Sequence, residues 1–281
     1  MDRIRSSTPN AALKPYVRAY AQRQMHGSCD MQQPVVASLE QVLQFEFGDP
    51  LLIDYSDGRS ELPSSVSVVG AHSFHRASIR FCGQIESFGV FFQPFGLWQL
   101  FGLPNIELRD QAYAGRDVFG AAIGRLWLQM AEASSFERRV EVVERFLMKR
   151  AETAVHQTPI MSAATYIFQR RGMNRIASVV DRSGYGIRQF ERKFKVEVGI
   201  APKLFARISR FQTALDAKLH APARSWLEIA HKFGYHDQMH MVHDFQGLGG
   251  DSPGGLMAQL GDGRPSALAS RSFNDTDMTS T

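Results

Sequence analysis

Apolar positions change their spacing part-way along the chain. Over 134–152, SSFERRVEVVERFLMKRAE, Phe136, Val140, Val143 and Leu147 fall three to four residues apart with Glu and Arg opposite. That is the stripe of an amphipathic helix, and Ser134 or Ser135 is placed to cap it. DVFGAAIGRLWLQMAEA (117–133) has the same spacing. The first hundred residues differ. PVVASLEQVLQFEFG (34–48), LLIDYSDG (51–58), SSVSVVG (64–70) and QIESFGVFFQPFG (84–96) are rich in β-branched and aromatic residues, with Gly, Pro, Asp and Ser between them. Short, closely spaced strands of this kind predict a barrel or sandwich. TAVHQTP (153–159) reads as a linker, and everything from there to about residue 260 reads as helical. The tail over 261–281 has no apolar periodicity and is expected to be disordered.

The helical half contains a repeat. Val179 and Val180 correspond to Ile229 and Ala230, and Gly184-Tyr185 to Gly234-Tyr235, at an offset of 50. The second copy then gains one residue. Phe190 meets Met241, Arg192 meets His243, Phe194 meets Phe245, Gly199 meets Gly250 and Pro202 meets Pro253, all at an offset of 51. Each copy predicts a short helix (about 174–182 and about 225–232). A glycine then allows a left-handed turn, and a tyrosine fills the angle. A second helix follows (187–196 and 238–246), closed by a Gly-x-x-Pro turn. Two helices joined by a tight glycine turn make a helix-turn-helix. Between the copies, PKLFARISRFQTALDAKLH (202–220) predicts one long helix. Pro202 starts it, Leu204, Ile208, Phe211 and Leu215 line its packing stripe, and Arg207, Arg210 and Lys218 are expected at the surface.

In the first copy Ile187, Phe190 and Phe194 share the inner face, while Arg188, Gln189, Arg192 and Lys195 point outward. Arg and Gln make paired hydrogen bonds to guanine and adenine edges, and Lys and Arg hold phosphates. Ile187, at the helix start, also counts among the candidate contacts. The second copy offers Gln238, Met239, His240 and His243. Charge supports this reading. Residues 1–159 hold 16 Lys and Arg against 17 Asp and Glu, whereas residues 160–260 hold 14 against 8. An even first half and a basic second half point to a polyanionic partner for the second.

Other chemistry finds less support. His236, His240 and His243 have the spacing of metal ligands on a helix, but no Glu follows the first, and Asp237 is placed as a helix cap that leaves His236 in the turn. His72 and His75 lack a matching Glu-x-His. No metal, cofactor or catalytic residue is therefore expected, and the protein is not expected to be an enzyme. The aromatics of 88–102 read as core, with an apolar effector pocket or dimer contact as the sharper alternative. Cys29 and Cys82 lie far apart and read as free buried thiols in a reducing cytoplasm. The amino terminus has no apolar signal segment, and no apolar run approaches the length of a membrane span. A rival reading is a ligand- or metal-binding sensor whose helical half is only an interaction module.

Residues 160–257 resemble the DNA-binding domain of the AraC/XylS family of bacterial transcription regulators. The matching stretches are SGYGIRQFERKFKVEVGIAPK and IAHKFGYHDQMHMVHDF followed by GGDSP. The resemblance implies an α+β chain. Its amino-terminal half (1–152) is a β-barrel-like, cupin-like sensor domain with trailing helices, and FGVFFQPFGLWQLFGLPNIELRD is similar to that half. An all-α domain (160–260) with two helix-turn-helix motifs on a long helix follows. It further implies promoter DNA as the partner, an unidentified small-molecule effector, contact with RNA polymerase and a homodimer. Some positions depart from the family pattern. Gly186 stands at a usual Ser cap, Met241 at a usual Phe, His243 at a usual Arg and Gln246 at a usual basic residue. The first motif is therefore expected to dominate. Contact through His243 should strengthen on acidification, because an imidazole carries charge only when protonated.

Overall fold

The computed structural model describes residues 3–260, the side chains of residues 29 and 30 excepted, so the tail predicted to be disordered lies outside the described residues. The amino-terminal half is built on strands β1 (Arg3–Ser7), β2 (Val17–Val35), β3 (Gln41–Glu46), β4 (Leu52–Tyr55), β5 (Ser60–Glu61), β6 (Val66–Val69), β7 (Ala77–Phe92) and β8 (Ala112–Ala114). They form an antiparallel sheet in the order β1-β2-β7-β3-β6-β8, with β4 on β7 and β5 on β4. The long β2 and β7 pair from Val17–Phe92 to Val35–Ala77, with irregularities between Val17 and Ala19 and between Gly27 and Met31. Such bulges bend a pair of strands. Here the carboxy-terminal part of β7 pairs with β3 and its amino-terminal part with β4, so the sheet curls around this pair of strands. The strand-rich stretch 34–48 holds the end of one strand and the whole of the next. Val35 ends β2, and residues 36–40 leave the sheet before β3 begins.

Alternation along the strands gives the sheet two chemically distinct faces. Tyr20, Leu43, Phe45, Phe88, Val90 and Phe92 are at most 1% exposed on one face. They pack against α1 (Gly96–Phe101), α4 (Ala121–Ala131) and α5 (Phe136–Ala151), with α2 (Asn105–Leu108) and α3 (Gly115–Phe119) between. Most aromatics of 88–102 are therefore core, Phe88 and Phe136 lying 5.9 Å apart. Ser135 caps α5, accepting from the Arg138 amide at 3.2 Å. Arg139 does not stay on the solvent side of that helix. It is 6% exposed, donates to the Met130 carbonyl (3.0 Å) and Glu86 (2.6 Å), and lies over the Phe47 ring. The other face carries Arg23, Ser87 and Glu46 in one row across β2, β7 and β3. Burial pushes the Glu46 carboxyl up to about 7 against hydrogen bonds from Ser87 and Gln44. Cys82 is disulfide-bonded, so it is not the free thiol expected from cysteine spacing.

The second half consists of α6 (Pro159–Gln169), α7 (Ile176–Ser183), α8 (Ile187–Val198), α9 (Pro202–His220), α10 (Trp226–Lys232), α11 (Gln238–Gly249) and α12 (Pro253–Leu260). Pro159, placed in the linker by sequence, is the first residue of α6, which Thr158 caps. One core runs through the helices: Val179, Phe190, Phe194, Phe205, Ile208, Phe211, Ile229, Met241 and Phe245 are at most 2% exposed. Val36, Ala37, Leu39 and Phe95 of the amino-terminal half belong to the same cluster. The two halves are thus packed on each other, which nothing in the chain's periodicity indicated. Arg207 of α9 is exposed, as expected, whereas Arg210 and Lys218 are half-buried, and all three are engaged. Arg207 pairs with Asp244, Arg210 donates to the Gly172 carbonyl, and Lys218 donates to that of Arg224. They tie the scaffold helix to both flanking units. Among the described residues no helix is long and apolar enough to cross a membrane.

Candidate nucleic-acid interface

Both predicted motifs form. In the first, α7 ends at Gly184 in the left-handed conformation (φ 73°), and α8 starts after Gly186. In the second, α10 is followed by Gly234 (φ 68°), and α11 starts after Asp237. Phe190 and Phe194 of α8, and Met241 and Phe245 of α11, are all 0% exposed, with Phe194 against Phe205 and Phe245 against Phe211 of α9. Anchoring one stripe of each helix aims the opposite stripe outward, because residues three and four apart share a face. Arg188, Gln189 and Arg192 are exposed on α8, with Lys195 half-buried at its last turn. Gln238, Met239, His240 and His243 are exposed on α11. Ile187 does not join the buried stripe; it is 56% exposed at the start of α8, beside the polar contacts. Met239, equally open at 60%, occupies the position in its motif that Arg188 occupies in the first.

The helix starts differ. Asp237 accepts from the His240 amide at 2.7 Å, whereas Gly186 supplies no side-chain cap to α8. Gly186 has φ −67°, and a Cβ there meets nothing within 4 Å. Gly186→Ser is therefore expected to stabilise the protein by about 0.5–1 kcal/mol, combining a cap with a less flexible unfolded chain. Denaturant unfolding of the two proteins checks this, and an unchanged or lower midpoint would contradict it.

The histidines of the second motif serve its turn. The His236 amide donates to His240 Nδ1 (3.4 Å), His236 Nδ1 lies 3.1 Å from Asp237 Oδ2, and the His240 ring stands edge-on to Tyr235 at 5.4 Å. Among the described residues no three His, Cys, Asp or Glu side chains gather as metal ligands would. His72 and His75 lie at the junction of the two halves. His72 forms an isolated bridge with Ser38, and burial holds its imidazole down near 4, against the pull of Asp110. His75 Nδ1 lies 3.1 Å from the Val35 carbonyl. Sequence reasoning missed the polar groups of this junction, Asn105 and Gln212, because a lone amide carries no periodic signal and its partners come from distant elements.

Two outward-facing helices, each set in a helix-turn-helix and braced on one scaffold helix behind a β domain, define a two-motif DNA-binding protein. Residues 179–259 match the family model of a helix-turn-helix domain, and residues 5–114 match that of a domain of unknown function (DUF6597). No curated protein matches the chain. Among solved structures, ToxT from Vibrio cholerae O395 shares the fold, with a TM-score of 0.50 and 10% identity over 86% of this chain and 98% of that one. ToxT bound to (E)-4-(8-methylnaphthalen-1-yl)but-3-enoic acid scores 0.49 at 10% identity, over 92% and 99%. Residues 179–259 thus form a helix-turn-helix domain by sequence as well as by geometry, and the likeness to ToxT is one of fold.

Proposed function

We propose that the protein is a bacterial transcription regulator, acting in the cytoplasm, that seats α8 and α11 in successive major grooves of promoter DNA. Recognition helices on one face of a duplex stand roughly 34 Å apart. The observation that carries the reading is the pairing of exposures. Equivalent helices of a duplicated unit bury equivalent residues and leave Arg188, Gln189 and Arg192 in one, and Gln238, Met239, His240 and His243 in the other, open to solvent.

Each side chain has a role of its own. Arg188 and Arg192 suit guanine edges or phosphates, Gln189 suits adenine, and Lys195 suits the backbone. Ile187 and Met239 suit thymine methyl groups. The second motif has no Arg or Lys among its four contact residues, so it adds less charge and less affinity. The amino-terminal domain receives a small molecule or protein partner and passes its state to the helices through the shared core. A second copy of the chain and RNA polymerase are the protein partners that such a regulator would meet. It acts by binding, without catalysis.

Selection of duplexes from a random library by the full-length chain tests the proposal. The expected product is two short conserved blocks about one helical turn apart, one of them containing guanine. Enrichment of no sequence, or of a single block, would overturn it.

A further inference from the structure

The last carbonyls of a helix have no partner within that helix and must find one elsewhere. The two recognition helices share a solution. In α8 the Glu197 carbonyl accepts from the side-chain amide of Asn105, which is 1% exposed on α2. In α11 the Leu248 carbonyl accepts from the backbone amide of Ala37 at 2.8 Å. Glu197 and Leu248 are equivalent positions in the repeat, 51 residues apart. Both donors come from the amino-terminal half, and they are chemically unrelated, a side chain in one case and a strand-exit backbone in the other.

The next equivalent pair repeats the pattern. Gly199 and Gly250 end the two helices in the left-handed conformation (φ 96° and 84°). A Cβ on Gly199 would come within 2.8 Å of the Asn105 carbonyl oxygen, and a Cβ on Gly250 would collide with the His75 ring. The amino-terminal domain therefore lies directly against both helix ends. A third fastening reaches the scaffold helix between them. Gln212 of α9 accepts from the Leu39 amide (3.2 Å) and donates to Ser38 Oγ (3.3 Å).

We propose that the amino-terminal domain is the bracket that holds the two recognition helices at one mutual distance and angle, with Asn105 and Gln212 as positioning residues for the spacing between half-sites. Neither touches DNA in the reading above. Each motif reads its own half-site with its own side chains, and the bracket decides how far apart two half-sites stand when both are read at once. This deepens the proposed function and rests on it. An effector that shifts residues 36–39 or the α2 segment would change the spacing tolerance without altering either set of base contacts.

The test uses the full-length chain and duplexes selected from a random library. Wild type is expected to enrich two blocks at a single spacing. Asn105→Ala and Gln212→Ala should enrich the same two blocks with spacings spread to neighbouring values. Each should lose about fivefold in affinity for the two-block duplex, the size of one hydrogen bond, and keep its affinity for a duplex with the first block alone. Gln212→Ala guards against misfolding, since the residue is half-buried and lies at no helix end, and thermal melts confirm folding of both. A single unchanged spacing with unchanged two-block affinity in two folded variants would overturn the bracket. So would an equal loss on the one-block duplex, which would place the damage in the motif itself. If wild type enriches no two-block site, the DNA reading fails first and the bracket falls with it.

Discussion

Replacing Arg188 and Arg192 together by alanine should weaken binding to a selected duplex by two to three orders of magnitude while leaving the fold intact. Both side chains are exposed on α8, and the buried stripe behind them, Phe190 and Phe194, is untouched. A good arginine contact to a base edge is worth about 1–3 kcal/mol, and each 1.4 kcal/mol is about tenfold in affinity. The salt dependence separates the two ways an arginine can act. Each lost phosphate contact lowers the slope of log K against log salt by about 0.9. A large loss with an unchanged slope assigns the pair to bases, and a slope reduced by about 1–2 assigns it to phosphates. Unchanged affinity together with an unchanged slope would remove α8 from the interface. His243→Ala should cost much less, because the second motif has no arginine among its contacts.

Arg207→Ala should produce the largest loss of stability at a surface-accessible position. The guanidinium reaches Asp244 Oδ1 through both Nε (3.0 Å) and Nη2 (2.7 Å). The Asp244 side chain is 3% exposed inside α11, and its Oδ2 has no hydrogen-bond partner among the described residues. Removing the arginine leaves a buried carboxylate uncompensated, at a cost of about 2–3 kcal/mol given that Arg207 itself is half exposed. For a chain of this size that lowers the melting temperature by about 3–5 °C. Adding Asp244→Asn to the variant should restore part of the loss, since a neutral amide is cheaper to bury than a carboxylate. A double-mutant cycle read by thermal unfolding measures the coupling. A shift of less than about 1 °C in the single variant would show that the pair contributes little.

The helical half was legible because its signals are local. Pro202 at the first turn and a four-residue apolar stripe marked the helix that the structure places at Pro202–His220. Asp237, and either Ser134 or Ser135, were placed as caps by their position before an apolar run, and Ser135 and Asp237 each accept the amide three residues on. The duplication aligned two weak motifs, and each strengthened the other. The sheet was harder. β2 spans nineteen residues, yet its stretch VRAYAQRQMHGSCDMQQPV has little alternation and few β-branched residues. Its extent is set by pairing with β7, and a pairing partner far along the chain leaves no mark on the strand's own sequence. The direction of single side chains was equally hard to read. Ile187 turned outward, and Arg139 turned inward to Glu86 and the Met130 carbonyl, because the neighbours that decide such orientations come from other elements.

The sequence alone therefore determined the two helix-turn-helix units, their scaffold helix and the face each recognition helix presents. Turn glycines, caps and apolar periodicity act within a few residues of where they stand. Only the tertiary structure decided that the β domain closes the far ends of both helices. Asn105 lies 92 residues from Glu197, and Ala37 more distant still from Leu248. A helix-end carbonyl accepts from whichever donor the packed chain brings to it.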